Sequence, residues 1–440
     1  MLQRFNSFTI KNFKSFRWAK LQLSPLTLLI GANASGKSNA IEAVQLLSWL
    51  ASGRRLGDIL FAVREKELNL RGALGDFTGE GTDFTLGCDL EGNKGAFNFR
   101  VQLKVGADGL RIVGEYLQSP NLGTQYPLYE VVEPASLYGN EIQVAYNNFS
   151  QGGKKPRISC IDQQAVFTQL FTPARFAAHH RRSQVQVPLA ASTLREMLEH
   201  ILFLDPNPSR MRDYSFTTEK NLQRDGAALS AVLYRLVEEG DKHLILDFIR
   251  SLPEQDISEI SFLRTPRDEV MVQLHETFGK NVSIREAALL SDGTLRVLAV
   301  AAALLSVTPG STVVIEEIDN GVHPSRAESL LRNIQKVAHE RNLQVLLTTH
   351  NPALLDALPL EAIPDAVACY RDPEEGDSRL IRLEELESYP ELVAQGPLGW
   401  LVTRGILDRY LKDPDKRDGE AKVEKGLAWL SDFKRRVQSS

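Results

Sequence analysis

The sequence predicts an α/β protein in which an antiparallel β region and a helical insertion separate the two halves of a parallel-sheet domain. Three observations predict it. The apolar run Leu26–Ile30 ends at a glycine and leads through a short loop into helical periodicity over Ser38–Leu50, with Ile41, Val44 and Leu47 on one face. Residues 80–150 hold short β-type runs (DFTLGCDL, AFNFRVQLKV, LRIVGEYL, LYEVVE, EIQVAY) broken by Gly, Pro and Asn turns. The last third alternates between helices and buried strands, which implies a parallel sheet with both faces covered.

Taken in order, Phe5–Phe13 alternates as a strand, followed by the Leu26–Ile30 strand and its helix. The 80–150 segment reads as an antiparallel meander. Residues 160–252 read mainly as helices, with apolar stripes over Ala190–Phe203 and Gly226–Glu239 and a break at DPNPSR, 205–210. Strand patterns return over Ile257–Leu263 and Val270–His275. Then come a helix over Gly293–Val307, a strand over Thr312–Ile315, a helix over Ser325–Glu340 and a strand over Leu343–Thr348. The division is an N-terminal half, 1–150; a helical insertion, 151–255; a C-terminal half, 256–400; and a helical tail, 401–440.

Composition narrows the function classes. The chain has 440 residues, 43% hydrophobic and 24% charged, with a net charge of −5. That suits a soluble globular protein with a sizeable core. Cys88, Cys160 and Cys369 stand far apart without metal-ligand spacing, so a reducing cytoplasm is expected and a disulfide framework is not. The N-terminus lacks a signal peptide's apolar core. The most apolar stretch, Val297–Val307, is about half of the ~20 residues a bilayer span needs, so a buried helix and no membrane association are expected.

The chemistry-bearing segments lie at the ends of the predicted strands. Gly31-Ala-Asn-Ala-Ser-Gly-Lys-Ser38 has the G-x-x-x-x-G-K-[ST] pattern between a strand and a helix. The backbone amides of Asn33, Ala34, Ser35, Gly36 and the first helical turn through Asn39 can wrap phosphates, helped by the helix N-terminus. Gly31 and Gly36 permit the turns. Lys37 would reach β- and γ-phosphates and Ser38 would ligate Mg²⁺. Val313-Val-Ile-Glu316-Glu317 places two carboxylates at a strand's carboxyl end, where α/β sheets bind ligands. Glu316 suits a magnesium shell and Glu317 suits the orientation or deprotonation of attacking water. Ser291, Asp292 and Gly293 precede an apolar helix and form either an anion site or an ordinary N-cap. His350, in Leu346-Leu-Thr-Thr-His-Asn-Pro352, ends a strand and is either a phosphate contact or a structural histidine.

In order and spacing these segments resemble the ABC-type ATPases, in particular the SMC/RecF-like branch and its compact bacterial AAA-15/AAA-21 type, related to the ATPase part of OLD proteins. IKNFKSF at 10–16 resembles the N-terminal strand of that group, and LTLLIGANASGKSNAIEA its Walker A region. LLSDGTLR resembles the signature motif, VVIEEIDNGVHP Walker B with its D-loop, LLTTHNP the switch histidine, and Gly396-Pro-Leu-Gly399 a short C-terminal feature. The matching segments cover roughly residues 1–60 and 285–400.

The resemblance implies an ABC-type ATPase head that forms a head-to-head homodimer around two ATP molecules, with Mg²⁺. Lys37, Ser38, Glu316 and catalytic Glu317 would act in cis. Ser291 and Gly293 would touch the partner's γ-phosphate, His350 would sense it, and Asp319 and Asn320 would cross the interface. A Q-loop glutamine should follow the first helix, and Gln102, Gln118, Gln125 and Gln143 remain open. Arg175 is a lid arginine or a surface charge. The sequence departs from better-known relatives in having no long coiled coil and no Toprim acidic pattern after His350. Such compact ATPases imply an anti-phage defence component that controls a separate nuclease or toxin through a docking insertion projecting from the core. A DNA repair or recombination ATPase is the second reading, supported by the basic clusters Lys154/Lys155/Arg157 and Arg181/Arg182. A transporter subunit is a third.

Overall fold

The computed structural model describes residues 3–122, 126–136, 139–150, 152–249, 256–278, 281–319 and 324–412. The hairpin β1 (Arg4–Phe13) and β2 (Phe16–Gln22) is followed by β3 (Leu26–Ile30), α1 (Lys37–Ala51) and α2 (Ile59–Arg64). Six strands come next: β4 (Asp83–Glu91), β5 (Phe97–Gly106), β6 (Gly109–Gln118), β7 (Tyr129–Glu133), β8 (Glu141–Tyr146) and β9 (Arg157–Ile161). The middle holds α3 (Arg181–Glu199), β10 (Ile201–Leu204), α4 (Pro208–Met211), β11 (Ser215–Phe216), α5 (Leu229–Glu238) and α6 (Lys242–Ile249). Strands β12 (Asp256–Arg264), β13 (Glu269–Phe278) and β14 (Asn281–Glu286) lead to α7 (Asp292–Ser306), β15 (Thr312–Ile315), α8 (Pro324–Glu340), β16 (Gln344–Thr348) and α9 (Pro352–Asp356). The chain closes with β17 (Val367–Arg371), β18 (Ser378–Arg382), α10 (Tyr389–Val393), α11 (Leu398–Thr403) and α12 (Ile406–Lys412).

The central sheet runs β10-β15-β16-β3-β17-β18, parallel except for β18. Because side chains alternate across a strand, this sheet divides the core. Leu28, Ile30, Val313, Ile315, Val345 and Leu347 join α5 to α8 on one face. Leu29, Val314, Leu346 and Val367 join α1, α3 and the antiparallel sheet on the other. Burial on both faces explains why these strands read as continuous apolar runs.

The expected meander is present as an eight-stranded antiparallel sheet, β2-β1-β4-β5-β6-β7-β8-β9. Its inward face carries phenylalanines such as Phe13 and Phe84, and Phe77 from the turn before β4 packs with them, ring centroids 5.2 to 6.5 Å apart. Helix α1 is enclosed on most sides, so even Glu42 and Gln45 on it are buried.

The middle third differs from its sequence reading. The helix expected over Ala190–Phe203 ends at Glu199. Ile201–Leu204 instead pairs in parallel with Thr312–Ile315 and closes one edge of the central sheet. A short apolar run fits either state by periodicity alone, and the open edge of β15 decides for strand. The expected break at 205–210 contains the turn of α4, capped by the Asn207 side chain accepting from Ser209 N–H at 3.1 Å. Nor do these helices stand off as a projecting docking element: α3 packs on α1, while α5 and α6 pack on α7. Most of the expected helical tail, from 413 onward, lies outside the described residues.

Candidate functional site at the phosphate loop

The carboxyl ends of β3, β15 and β16 open onto one cavity of about 860 Å³. It is lined by residues 32–39, Glu316, Glu317, Thr348, Thr349 and His350, and also by Lys14, Arg71 and Arg371. The structure therefore brings Asn33, Ala34, Ser35, Gly36, Lys37, Ser38, Asn39, Glu316, Glu317 and His350 together from segments almost 300 residues apart.

The loop's shape needs its glycines. Gly31 has φ 148°, and a Cβ there would lie 2.2 Å from the Cys369 carbonyl oxygen. Gly36 has φ 121°, and its Cβ would meet Ser378 Oγ at 2.4 Å. Both distances are below any real contact, so a side chain would force β17 or β18 away. Gly36 gives α1 no side-chain cap, which leaves first-turn amides directed as donors at the helix's positive end. Ser378 Oγ donates to the Ser35 carbonyl at 2.6 Å and meets Ser15 Oγ at 2.8 Å, so two hydroxyls brace the loop from behind. The Ser35 hydroxyl itself is buried without a hydrogen-bond partner. An orphaned donor beside uncapped amides fits an anion.

Lys37 Nζ donates to the carbonyls of Gly31 at 2.5 Å and Ala32 at 3.0 Å. Burial lowers its pKa from the ordinary lysine value, against smaller opposing effects from Cys369, Glu317 and Asp319. A polyanion in the cavity would offset that desolvation. The Cys369 thiol is pushed up to about 11, chiefly by burial.

Glu316 and Glu317 part company at the end of β15. Glu316 N–H completes the sheet by donating to Leu204 O at 2.9 Å, and its carboxylate accepts from Arg224 at 2.5 Å. Burial raises the Glu316 carboxyl above its usual range, with Arg224 pulling the other way. Glu317 has φ 49°, an uncommon conformation for a residue with a Cβ. Its N–H is held by Thr348 Oγ1 at 2.9 Å. Such strain persists where surroundings over-determine it.

His350 Nδ1 lies 3.7 Å from the buried Asp319 carboxylate, while half of its side chain is exposed. Asn351 caps α9 by accepting from Ala353 N–H at 3.0 Å, with Pro352 at the first helical position. The cap fixes the turn that presents His350. Asn320, expected beside Asp319, lies outside the described residues.

The remaining expected residues fall elsewhere. Ser291 caps α7, its Oγ accepting from Thr294 N–H at 3.1 Å, and Ser291, Asp292 and Gly293 do not line the cavity. Gln102, Gln118 and Gln143 do not line it either, and Gln125 lies outside the described residues. Arg175 bonds the Ser159 carbonyl at 2.5 Å on β9, away from the cavity.

Sequence reasoning missed three cations. Lys14 sits in the β1–β2 turn with φ 51° and pairs with Glu42 on α1. Arg71 Nε donates to the same carboxylate at 2.6 Å. Arg371 Nε donates to Ala34 O at 3.2 Å. Lys14 lies within the resemblance segment IKNFKSF, which could have marked it. Arg71 lies in a stretch without periodicity, and no local signal marks it.

The family model described as "AAA domain, putative AbiEii toxin, Type IV TA system" matches residues 26–356. The DNA replication and repair protein RecF of Gloeobacter violaceus is 47% identical over 62 residues, 14% of this chain and 16% of that protein, so the match spans a small part of either. The SMC head domain of Thermotoga maritima superposes with TM-score 0.42 at 15% identity, covering 86% of this chain and 98% of that one. An SMC head with an extended coiled coil, bound to the C-terminal domain of ScpA derived from Pyrococcus furiosus, gives 0.48 at 10%, covering 90% and 99%. Among the described residues, no helix is long and apolar enough to cross a membrane. The family match takes in the phosphate loop, both strand-end carboxylates and His350, and the chain belongs to this AAA-21 family of AAA-domain proteins.

Proposed function

We propose that this protein binds and hydrolyses ATP with Mg²⁺ and acts as a dimeric, nucleotide-driven switch for a separate effector. The observation that carries the reading is the cavity that joins the phosphate loop to Glu316, Glu317 and His350. Lys37 and the amides of residues 33–39 hold the phosphates. Ser38 and Glu316 would hold the cation, which would supply charge neutralisation to the phosphates. Glu317 takes a proton from the attacking water, and His350, backed by Asp319, contacts the γ-phosphate. Ser291, Asp292 and Gly293, displayed at the α7 N-terminus outside this cavity, complete the site of a second copy.

A toxin–antitoxin association in the family's description supports an effector-controlling role, and we assign the chain to anti-phage defence as the ATPase or sensor component acting with a nuclease or toxin in the cytoplasm. Glu317→Gln tests the core of this reading. It should retain nucleotide and Mg²⁺ binding, lose turnover by roughly 10²-fold or more, and accumulate as an ATP-bound dimer by size-exclusion chromatography. A fully active Glu317→Gln enzyme would reject this carboxylate as the base.

A second reading, a DNA repair or recombination ATPase, has one observation of its own. Lys155 Nζ lies 4.7 Å from the Tyr126 ring centre and Arg182 lies 4.2 Å from that of Phe149, so cations and aromatic rings share one corner of the antiparallel sheet. DNA-stimulated ATPase with steep salt dependence favours this reading. ATPase without DNA stimulation, and without nuclease activity in Mg²⁺ or Mn²⁺, favours the first.

A further inference from the structure

Between β10 and α5 the chain makes an excursion over residues 205–228 that contributes no residue to the nucleotide cavity. We propose that this excursion ties the two half-sites of one subunit together. Arg224 positions the Glu316 carboxylate, and Arg212 positions the segment that presents Ser291. The proposal rests on the reading of Glu316 as a cation carboxylate and Ser291 as the contact to a partner.

The excursion is closed at its neck. Asp205 N–H donates to Arg224 O at 2.8 Å and Asn207 N–H to Asp225 O at 2.9 Å. Arg210 pairs with the Asp225 carboxylate at 3.2 Å. Inside, Met211 is 1% exposed and sits so close to Gly226 (φ +83°) that a Cβ there would lie 2.6 Å from Met211 Cε. Close-packed interiors transmit displacement rather than absorb it. The backbones that carry Arg212 and Arg224 therefore belong to one unit.

Each arginine grips a different half-site. Arg224 Nη2 donates to Glu316 Oε1 at 2.5 Å. Arg224 lines a neighbouring cavity of about 510 Å³ with Gln45 and Trp49, whereas Glu316 lines the phosphate-loop cavity. The guanidinium thus fixes the carboxylate from outside the nucleotide site, as outer-shell partners orient metal ligands. Arg212 Nη1 donates to the carbonyls of Leu290 at 2.7 Å, Ala288 at 3.0 Å and Ala287 at 3.5 Å. Its Nη2 donates to Asp292 Oδ1 at 2.6 Å. These are the residues on either side of Ser291, which caps α7. A planar fork can meet several such acceptors at once, which a lysine ammonium does less well. Neither arginine lines the nucleotide cavity, so both are positioning residues. A tie of this kind makes cation binding in one subunit and readiness of its partner-facing segment mutually dependent, since linkage is reciprocal.

The test uses the full chain in Arg224→Ala, Arg212→Ala and the double variant, with Lys versions alongside. Two quantities are read: the Mg²⁺ concentration for half-maximal turnover, and the dissociation constant of the ATP-bound dimer by sedimentation. Arg224→Ala should raise the first about tenfold or more. Arg212→Ala should weaken the dimer about tenfold while binding of a fluorescent ATP analogue to the monomer is retained. Each single variant should also shift the other's readout, and the double variant should lose less than the product of the singles. Arg224→Lys should recover part of the Mg²⁺ requirement, whereas Arg212→Lys should recover little. Where melting shows that an alanine variant has lost its fold, Arg→Gln replaces it. Independent, multiplying effects, or an unchanged Mg²⁺ requirement in Arg224→Ala, overturn the tie. Glu316→Gln is the control: a normal Mg²⁺ requirement there overturns the site reading and the tie together, whereas a raised one with independent arginine effects overturns the tie alone.

Discussion

Glu42 and Glu115 are buried to nearly the same depth, 4% and 3% exposed, in two regions that handle a buried carboxylate differently. Glu42 lies on α1 beside the phosphate loop, and its partners are the cations Lys14 and Arg71, both of which line the phosphate-loop cavity. Glu115 lies inside the antiparallel sheet. There it accepts from Tyr129 OH at 2.7 Å and from the N–H groups of Val166 and Phe167 at 2.8 Å. Burial pushes the Glu115 carboxyl up to about 7, against the pull of those three donors. Near the phosphate loop, buried charge is matched by opposite charge that also faces the cavity. In the scaffold it is met only by dipoles among the described contacts, and it becomes titratable near neutrality.

The largest expected effect belongs to the site side of this comparison. Lys37→Ala should weaken ATP binding by about 10²-fold or more, because a charge-assisted phosphate contact is lost in a partly desolvated site. Its melting temperature should stay within a degree or two, since among the described residues the ammonium bonds loop carbonyls alone. Calorimetric titration with ATP checks the first and differential scanning the second. Unchanged affinity would remove this loop from nucleotide binding.

Glu42→Ala should act on both stability and binding. It leaves the largely buried Lys14 ammonium with the Arg71 carbonyl in place of a carboxylate, at a cost of about 3 kcal/mol. It also releases Lys14 and Arg71 from the cavity wall, so ATP affinity should fall about tenfold, roughly 1.4 kcal/mol. A variant that loses stability alone would reduce this pair to scaffold and erase the contrast with Glu115.

Glu115 should act on stability alone and in a pH-dependent way. Its folded value of about 7 lies above the ordinary 4.5. Between those values the folded chain holds a proton that the unfolded chain has released. Its contribution is therefore complete below about pH 4.5 and is lost as pH rises through 7, a span worth about 3 kcal/mol. Melting temperature should fall by a few degrees between about pH 5 and pH 8 from this group. Glu115→Gln should flatten that slope and leave ATP affinity unchanged. A slope that survives the substitution would assign it to other groups.

The site was legible where chemistry is contiguous in sequence. Leu26–Ser38, Val313–Glu317 and Leu346–Pro352 each pair an apolar strand with a polar terminus, and each strand lies within a residue or two of its expected bounds. Lys14, Arg71 and Arg371 were not legible as a set, because Glu42 and the loop carbonyls gather them from three separate segments: a turn, an irregular stretch and the end of β17. Gly399 shows the same limit. The Gly396–Gly399 segment stands out in the sequence only by resemblance, and its use is visible only in the packing. A Cβ on Gly399 would lie 1.9 Å from Pro352 O, so only glycine lets α11 seat against the helix that follows His350.

The sequence by itself determined the strand–loop–helix unit, the paired carboxylates and the antiparallel strands, because local periodicity and turn chemistry act over a few residues. Only the tertiary structure decided that Ile201–Leu204 is a strand, since an apolar tetrapeptide takes its state from the sheet edge it meets. The tertiary structure also decided which buried carboxylate belongs to the site. Glu42 and Glu115 look alike in sequence, and what separates them is the charge of the neighbours that folding brings within hydrogen-bond reach.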